Sequence, residues 1–308
     1  GRDIYPFLTS ECSTSRVGER QVVLRCNNQW VEIDVANPTT YTVYSVPPEV
    51  IEQPSARLPR KRVGEYFVAE GHPVYTSTPE GDFYLYPLFS LHAPLGVSGP
   101  VTVTDHVTVS VPPPSFYPES WYAGRKVYFP YQQEQTVRWQ VATLDENGQF
   151  SVQSSLPITI PQDTVFGHFI PLPDSALVFA YRIGGETKAI VRADSSGNEI
   201  WRWEGGNVHV GNSFASDKYI VKWDERYSFP GPTITRCLSI WDTATGQPYT
   251  ISPPMCYNYR EGYSTASFLA SMDALVFYNS KEPSRFSLWK IGGLPFRVFL
   301  PVVVRQSP

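Results

Sequence analysis

The chain has 308 residues, 42% apolar and 18% charged, with Lys+Arg 25 against Asp+Glu 29 for a net charge of -4. This composition excludes a disordered chain and speaks against a nucleic-acid partner, which calls for a basic face or stripe. No apolar run approaches the ~20 residues needed to cross a bilayer as a helix, so no membrane span is expected.

In chain order, Ile4–Leu8 reads as an edge strand because it carries Pro6. Gln21–Cys26 and Trp30–Val35 read as a hairpin, and Tyr41–Val46 completes a four-strand unit. Residues 47–63, with four prolines and the cluster Arg57, Arg60, Lys61 and Arg62, read as an exposed crossing loop, with a docking patch as the alternative. A less regular unit follows: Glu65–Val68, Val74–Ser77, Asp82–Tyr86 and a hairpin of Val101–Thr104 with Val107–Val111. Residues 112–118 are a second proline-stiffened connector.

From Lys126 the pattern sharpens. Lys126–Tyr131, Val137–Leu144 and Gln149–Gln153 surround the turn Asp145-Glu146-Asn147-Gly148. Ala176–Tyr181 and Ala189–Val191 lead to Asp194-Ser195-Ser196-Gly197 and then Ile200–Trp203. Tyr219–Trp223 and Leu238–Trp241 lead to Asp242-Thr243-Ala244-Thr245-Gly246 and then Tyr249–Ile251. Asp145 to Asp194 is 49 residues, Asp194 to Asp242 is 48 and Trp241 to Trp289 is 48. Four short strands recurring every 40–50 residues are the signature of propeller blades. Turns near residues 34, 95, 145, 194, 242 and 291 give six.

The stretch Leu238–Gly246 resembles the third strand and turn of a WD40 blade, and Asp194–Trp201 resembles the turn of quinoprotein-type blades. The resemblance implies architecture, not activity. The expected fold is all-β: a single six-bladed propeller over 1–308, or seven blades, with almost no helix. The blades fall at about 1–47, 63–111, 119–155, 164–204, 206–252 and 262–304. Radial packing of such sheets buries both faces and leaves only short outer edges. Eight Trp, 19 Tyr and 17 Phe supply the large side chains this packing needs.

Neither Cys12 with Cys26 nor Cys237 with Cys256 has CxxC spacing. The intervals of 14 and 19 residues suit two local disulfides and hence an oxidising compartment, extracellular or in the cell envelope. Four buried thiols are the alternative. The chain opens at Gly1 without a signal peptide, as a processed secreted protein or a trimmed chain would. The 29 Pro and 2 Met give a composition of thermophile type.

For chemistry, the innermost strands are expected near 65–70, 119–123, 164–171, 207–214 and 262–269, which puts Glu65, Glu119, His168, His209, Asn212 and Tyr263 on a channel. His168, His209, Glu65 and Tyr263 are candidates for acid–base work, against packing or mouth roles. No GxSxG elbow, HExxH helix or sialidase-type Asp box is present, and no metal or cofactor is implied. The loop 253–263, with Tyr257, Tyr259 and Arg260, concentrates residue types found at recognition hot spots. Trp121, Tyr122 and Tyr227 extend that candidate face for a sugar or protein. A non-catalytic binding module for a protein or glycan is therefore the leading expectation. A subunit of a larger extracellular assembly and a glycan-acting hydrolase or lyase are the alternatives.

Overall fold

The structure is a computed structural model. It describes residues 13–18, 20–26, 29–37, 39–51, 59–79, 81–113, 120–182, 186–209, 213–228, 233–249, 256–258, 263–269, 274–279, 282–290 and 302–305. Among them the chain is all-β, with one four-residue helical turn, Pro48–Ile51, and six sheets of four or five strands. Two compact units divide it: residues 1–133 with 138–156, and 134–137 with 157–308.

In the first unit, the first sheet runs Ser13–Arg16, Gln21–Cys26, Gln29–Asp34, Tyr41–Ser45, each strand antiparallel to the last. A strap from the second sheet then lays Gly99–Pro100 parallel on its outer strand. The second sheet runs Pro59–Val63, Tyr66–Glu70, Gly81–His92, Thr102–Val111, with Val74–Thr78 paired to the front half of the long third strand. Trp121–Ala123, Lys126–Gln133, Thr136–Leu144 and Phe150–Ser154 make the third.

In the second unit, Thr136 and Val137 pair with Ile158–Thr159. The fourth sheet runs Thr164–Pro171, Ser175–Arg182, Glu186–Asp194, Glu199–His209. Ser213–Ala215, Tyr219–Ser228, Thr233–Asp242 and Pro248–Tyr249 form the fifth, with Cys256–Asn258 added opposite residues 235–237. The sixth runs Tyr263–Leu269, Ala274–Asn279, Glu282–Lys290, Val302–Arg305.

Several expectations change. Pro59–Val63 is a strand rather than the end of a crossing loop, because its Arg62 is not a surface charge: the side chain is 6% exposed against Glu32. Thr102–Val111 is one strand with a bulge between Val103 and Asp105, not a hairpin, since all of it pairs with Gly81–His92. Cys256–Asn258 turns part of the supposed 253–263 loop into ladder. The Ile4–Leu8 strand lies outside the described residues.

Packing follows from the strand sequences. Ser175–Arg182, read SALVFAYR, is buried along seven consecutive positions, as a central strand covered on both faces must be. Thr136–Leu144 instead points Val137, Trp139 and Val141 inward and leaves the intervening residues half-buried. One core lies between the first two sheets around Tyr44, Trp30, Phe67 and Leu91, with Phe67 edge-on to both aromatic rings. Another joins the second and third sheets through Tyr86, Phe129 and Leu144. In the second unit, Leu177, Phe179, Ile220 and Trp241 fill the space between the fourth and fifth.

The aspartate turns are the local organisers. The Asp194 carboxylate accepts the backbone N–H of Ser196 (2.8 Å) and Asn198 (2.9 Å) and the Asn198 amide (2.8 Å). Asp145 accepts from Asn147 N (2.9 Å) and Gln149 N (2.8 Å) in the same way. Asp242 takes Thr245 N (2.8 Å) and the Tyr249 hydroxyl (2.9 Å). Each turn ends on a glycine in the left-handed region, at φ 77° for Gly148, 90° for Gly197 and 69° for Gly246.

Burial alone would raise the carboxyls of Asp194 and Asp242, but these donors outweigh it and hold both below the ordinary value. A carboxyl depressed in the folded state stabilises above the unfolded pKa, about 3.9, and that contribution disappears as pH falls through the folded value. Asp194→Asn or Asp242→Asn is therefore expected to cost about 1 kcal/mol at pH 7. Urea denaturation should show the gap from wild type closing below pH 4; an equal gap at pH 3 would contradict the assignment.

Candidate functional site

The first strands of the three sheets in the first unit meet at an open cleft of about 290 Å³, lined by Arg16, Val17, Gly18, Arg60, Lys61 and Tyr122. Backbone geometry fixes it. The Arg62 N–H donates to Val17 O at 2.8 Å, which seats Pro59–Val63 beside the end of Ser13–Arg16. Arg16 Nε donates to Gly18 O at 3.0 Å, drawing its guanidinium back over its own turn. Tyr122 enters from the third sheet, held opposite Val127 in its hairpin.

Behind Tyr122 sits Glu70, 3% exposed. A buried carboxylate needs donors, and its Oε2 receives the Ser120 hydroxyl at 2.6 Å and the Tyr122 hydroxyl at 3.0 Å. Burial pushes the Tyr122 phenol well above its ordinary pKa, and the Glu70 charge pushes it further. Tyr122 thus remains a neutral donor to Glu70. The cleft is lined by three cations, Arg16, Arg60 and Lys61, and Glu70 stands behind its Tyr122.

A second charged group lies deeper between the first and second sheets. Arg62 Nε is 3.6 Å from Glu32 Oε1, with both side chains 6% exposed. The Tyr44 hydroxyl donates to Glu32 Oε2 at 2.9 Å, and the Arg62 guanidinium lies 4.2 Å over the Phe67 ring. Burial, then the Glu32 charge, pushes Tyr44 up to about 12. This group is closed off and serves packing.

The sequence-derived candidates fall in scattered places. Glu65 is an exposed turn residue, 3.5 Å from His92 Nε2. His168 lies on the first strand of the fourth sheet, edge-on to Phe179 and Tyr181. His209 lies on the fourth strand of the same sheet. Three strand spacings, about 14 Å, separate the two strands, so the histidines are not on neighbouring channel strands as expected. The strand Glu199–His209 runs on past Trp203, so its end belongs to the fourth sheet and not to the start of the fifth.

Tyr263 opens the first strand of the sixth sheet, Tyr257 sits opposite Arg236, and Tyr227 opposite Ile234. Tyr259, Arg260, Glu119 and Asn212 lie outside the described residues. Trp121 is half-buried next to Tyr122. Among the described residues no group of three His, Cys, Asp or Glu is placed to hold a metal ion.

Neither a protein-family model nor a curated protein matches the chain. Similar solved structures include prolyl oligopeptidase B from Galerina marginata, at 10% identity over 96% of this chain and 42% of that one, with a TM-score of 0.45. Dipeptidyl peptidase 4 from Porphyromonas gingivalis is 8% identical over 98% and 54%, with a TM-score of 0.43. The WD40 domain of SCAP from fission yeast is 10% identical over 91% and 76%, with a TM-score of 0.37. The chain thus spans only about half the length of either peptidase. At these identities and scores the fold assignment rests on the strand order itself.

Proposed function

We propose that this chain is a non-catalytic interaction module, a six-bladed propeller that binds a protein partner through the basic cleft. The observation that carries the reading is the convergence of first strands from three successive sheets on one open cleft, with Arg16, Arg60, Lys61 and Tyr122 on its walls. In a propeller such strands border the channel, where loops of one mouth meet ligands. A glycan-acting hydrolase has no comparable support, because His168 and His209 are held on opposite edge strands.

The compartment we infer is extracytoplasmic. Cys26 is disulfide-bonded, and we assign Cys12 as its partner. Cys237 and Cys256 stand directly opposite each other on antiparallel strands. Residues so placed have Cα atoms about 4.5–5.5 Å apart, inside the range a disulfide bridges.

The test places a photo-crosslinking residue at Lys61 and, separately, at exposed Val152 on the third sheet, in the native host. Protein adducts from position 61 and not from 152 are expected. Adducts at 152 alone, or carbohydrate adducts at 61, would overturn the reading. The same material, unreduced, should lack the four thiol hydrogens of its four cysteines; four free thiols would place it in a reducing compartment.

A further inference from the structure

We propose that the cleft is built for carboxylates, and that its ligand is an acidic segment of a partner protein bearing Asp or Glu side chains. This rests on the interaction-module reading and names the chemistry of the same site. Three cations line about 290 Å³ of open space, and among the described residues Arg60 and Lys61 make no ion pair with any carboxylate. By contrast, Arg20 pairs with Asp34, Arg192 with Asp174, and Arg202 with Glu199 and Glu204.

Among the described residues, the acid in contact with Tyr122 is already engaged. Ser120 and Tyr122 both donate to Glu70, so the lining leaves a net positive site rather than a self-neutralised one. Arg presents a planar fork that matches a carboxylate with two parallel N–H donors. Strand-borne side chains with fixed backbone contacts bind at lower ordering cost than loop-borne ones.

Size and lining choose among anions. At about 290 Å³ the space is just under the range typical of whole small-molecule pockets, roughly 300–1,000 Å³, and suits side chains entering from outside. A sugar acid is favoured by an aromatic face to stack on, whereas among the described lining residues the ring is that of Tyr122, anchored through its hydroxyl to Glu70. The protein as a whole carries a net charge of -4. The overall negative charge opposes approach of an acidic partner, so attraction at this basic patch favours one binding orientation.

The experiment uses the full chain and fluorescence anisotropy with a labelled Glu-rich peptide, its Gln isostere, and a trigalacturonate as a uronic-acid probe. The Gln peptide is expected to bind at least ~10-fold more weakly than the Glu peptide. Salt raised from about 0.05 to 0.5 M should weaken the Glu peptide by a similar factor. Arg60→Glu/Lys61→Glu should remove binding, and the milder Arg60→Gln/Lys61→Gln should weaken it at least ~10-fold with an unchanged Tm. Arg125→Glu, at an exposed turn outside the cleft, should stay within about 2-fold.

Equal binding of the Gln peptide, retention of binding in both double variants, or tighter binding of trigalacturonate would each overturn the proposal. Should position 61 still crosslink to a protein while the Glu peptide fails to bind, the carboxylate assignment falls and the interaction module stands. Loss of both signals removes both.

Discussion

Arg62→Ala is expected to destabilise the protein by about 3–5 kcal/mol. The side chain is buried beside Glu32, and folding takes the two charges out of water together. Deleting the guanidinium leaves a carboxylate 6% exposed with the Tyr44 hydroxyl as its donor, and strips a cation from the face of Phe67. The pair itself is not optimal: Glu32 Oε1, Arg62 Nε and Arg62 Nη1 are buried without hydrogen-bond partners. Replacing both residues with apolar ones, Glu32→Leu with Arg62→Met, should therefore restore most of the loss. Guanidinium denaturation of the two variants separates the cases. A double variant as unstable as Arg62→Ala would mean that the ion pair, rather than its uncompensated remnant, supplies the energy.

The second large effect is expected at the turn glycines. Gly246→Ala should cost about 2–5 kcal/mol, from left-handed backbone strain of about 1–2 and overpacking of about 1–3. A Cβ at Gly246 would sit 2.5 Å from Cε3 of Trp201, on the neighbouring sheet of its unit. Trp201 cannot easily withdraw, since its Nε1 donates to Thr243 O at 2.9 Å within that same turn. Gly148 bears on Tyr66 in the corresponding way between the second and third sheets. Gly64 and Gly124 supply the internal control, with φ of 58° and 54° and nothing within 4 Å of where a Cβ would stand. Alanine there should bring only the backbone part, about 1–2 kcal/mol. If thermal melts showed all four substitutions equal, the glycine–aromatic contacts would carry no packing energy.

What is legible in the sequence is what is decided locally. Asp145, Asp194 and Asp242 announce their turns because carboxylate, donors and glycine lie within a few residues of one another. The run Ala176–Tyr181 announces a central strand because nothing charged interrupts it. Arg60-Lys61-Arg62 reads as a loop because the reason it forms a strand is remote: Arg62 is neutralised by Glu32, thirty positions earlier on another sheet. The cleft is illegible as a unit for the same reason. Tyr122 and Trp121 stand out as binding residues, but Arg16, Arg60 and Lys61 join Tyr122 only through the meeting of three sheets. His209 shows a different limit. A run of β-branched and aromatic residues does not state where one sheet ends and the next begins.

The strap over the first sheet has a bearing on how the chain is made. Gly99–Pro100 lies parallel on Tyr41–Ser45, Ser98 Oγ receives the Val43 N–H at 3.0 Å, and the Val101 N–H reaches Ser45 O at 3.0 Å. The outer strand of the first sheet is thus completed by residues that follow the long strand Gly81–His92. During synthesis from the amino terminus, the first hairpins emerge with that edge uncovered and must wait for some fifty further residues. Unpaired edges are where nascent chains associate wrongly. Once the strap arrives, Pro100 brings no N–H of its own, and the finished edge offers a passing chain fewer donors to copy. Closure of the first sheet is in this sense a late event written by the second.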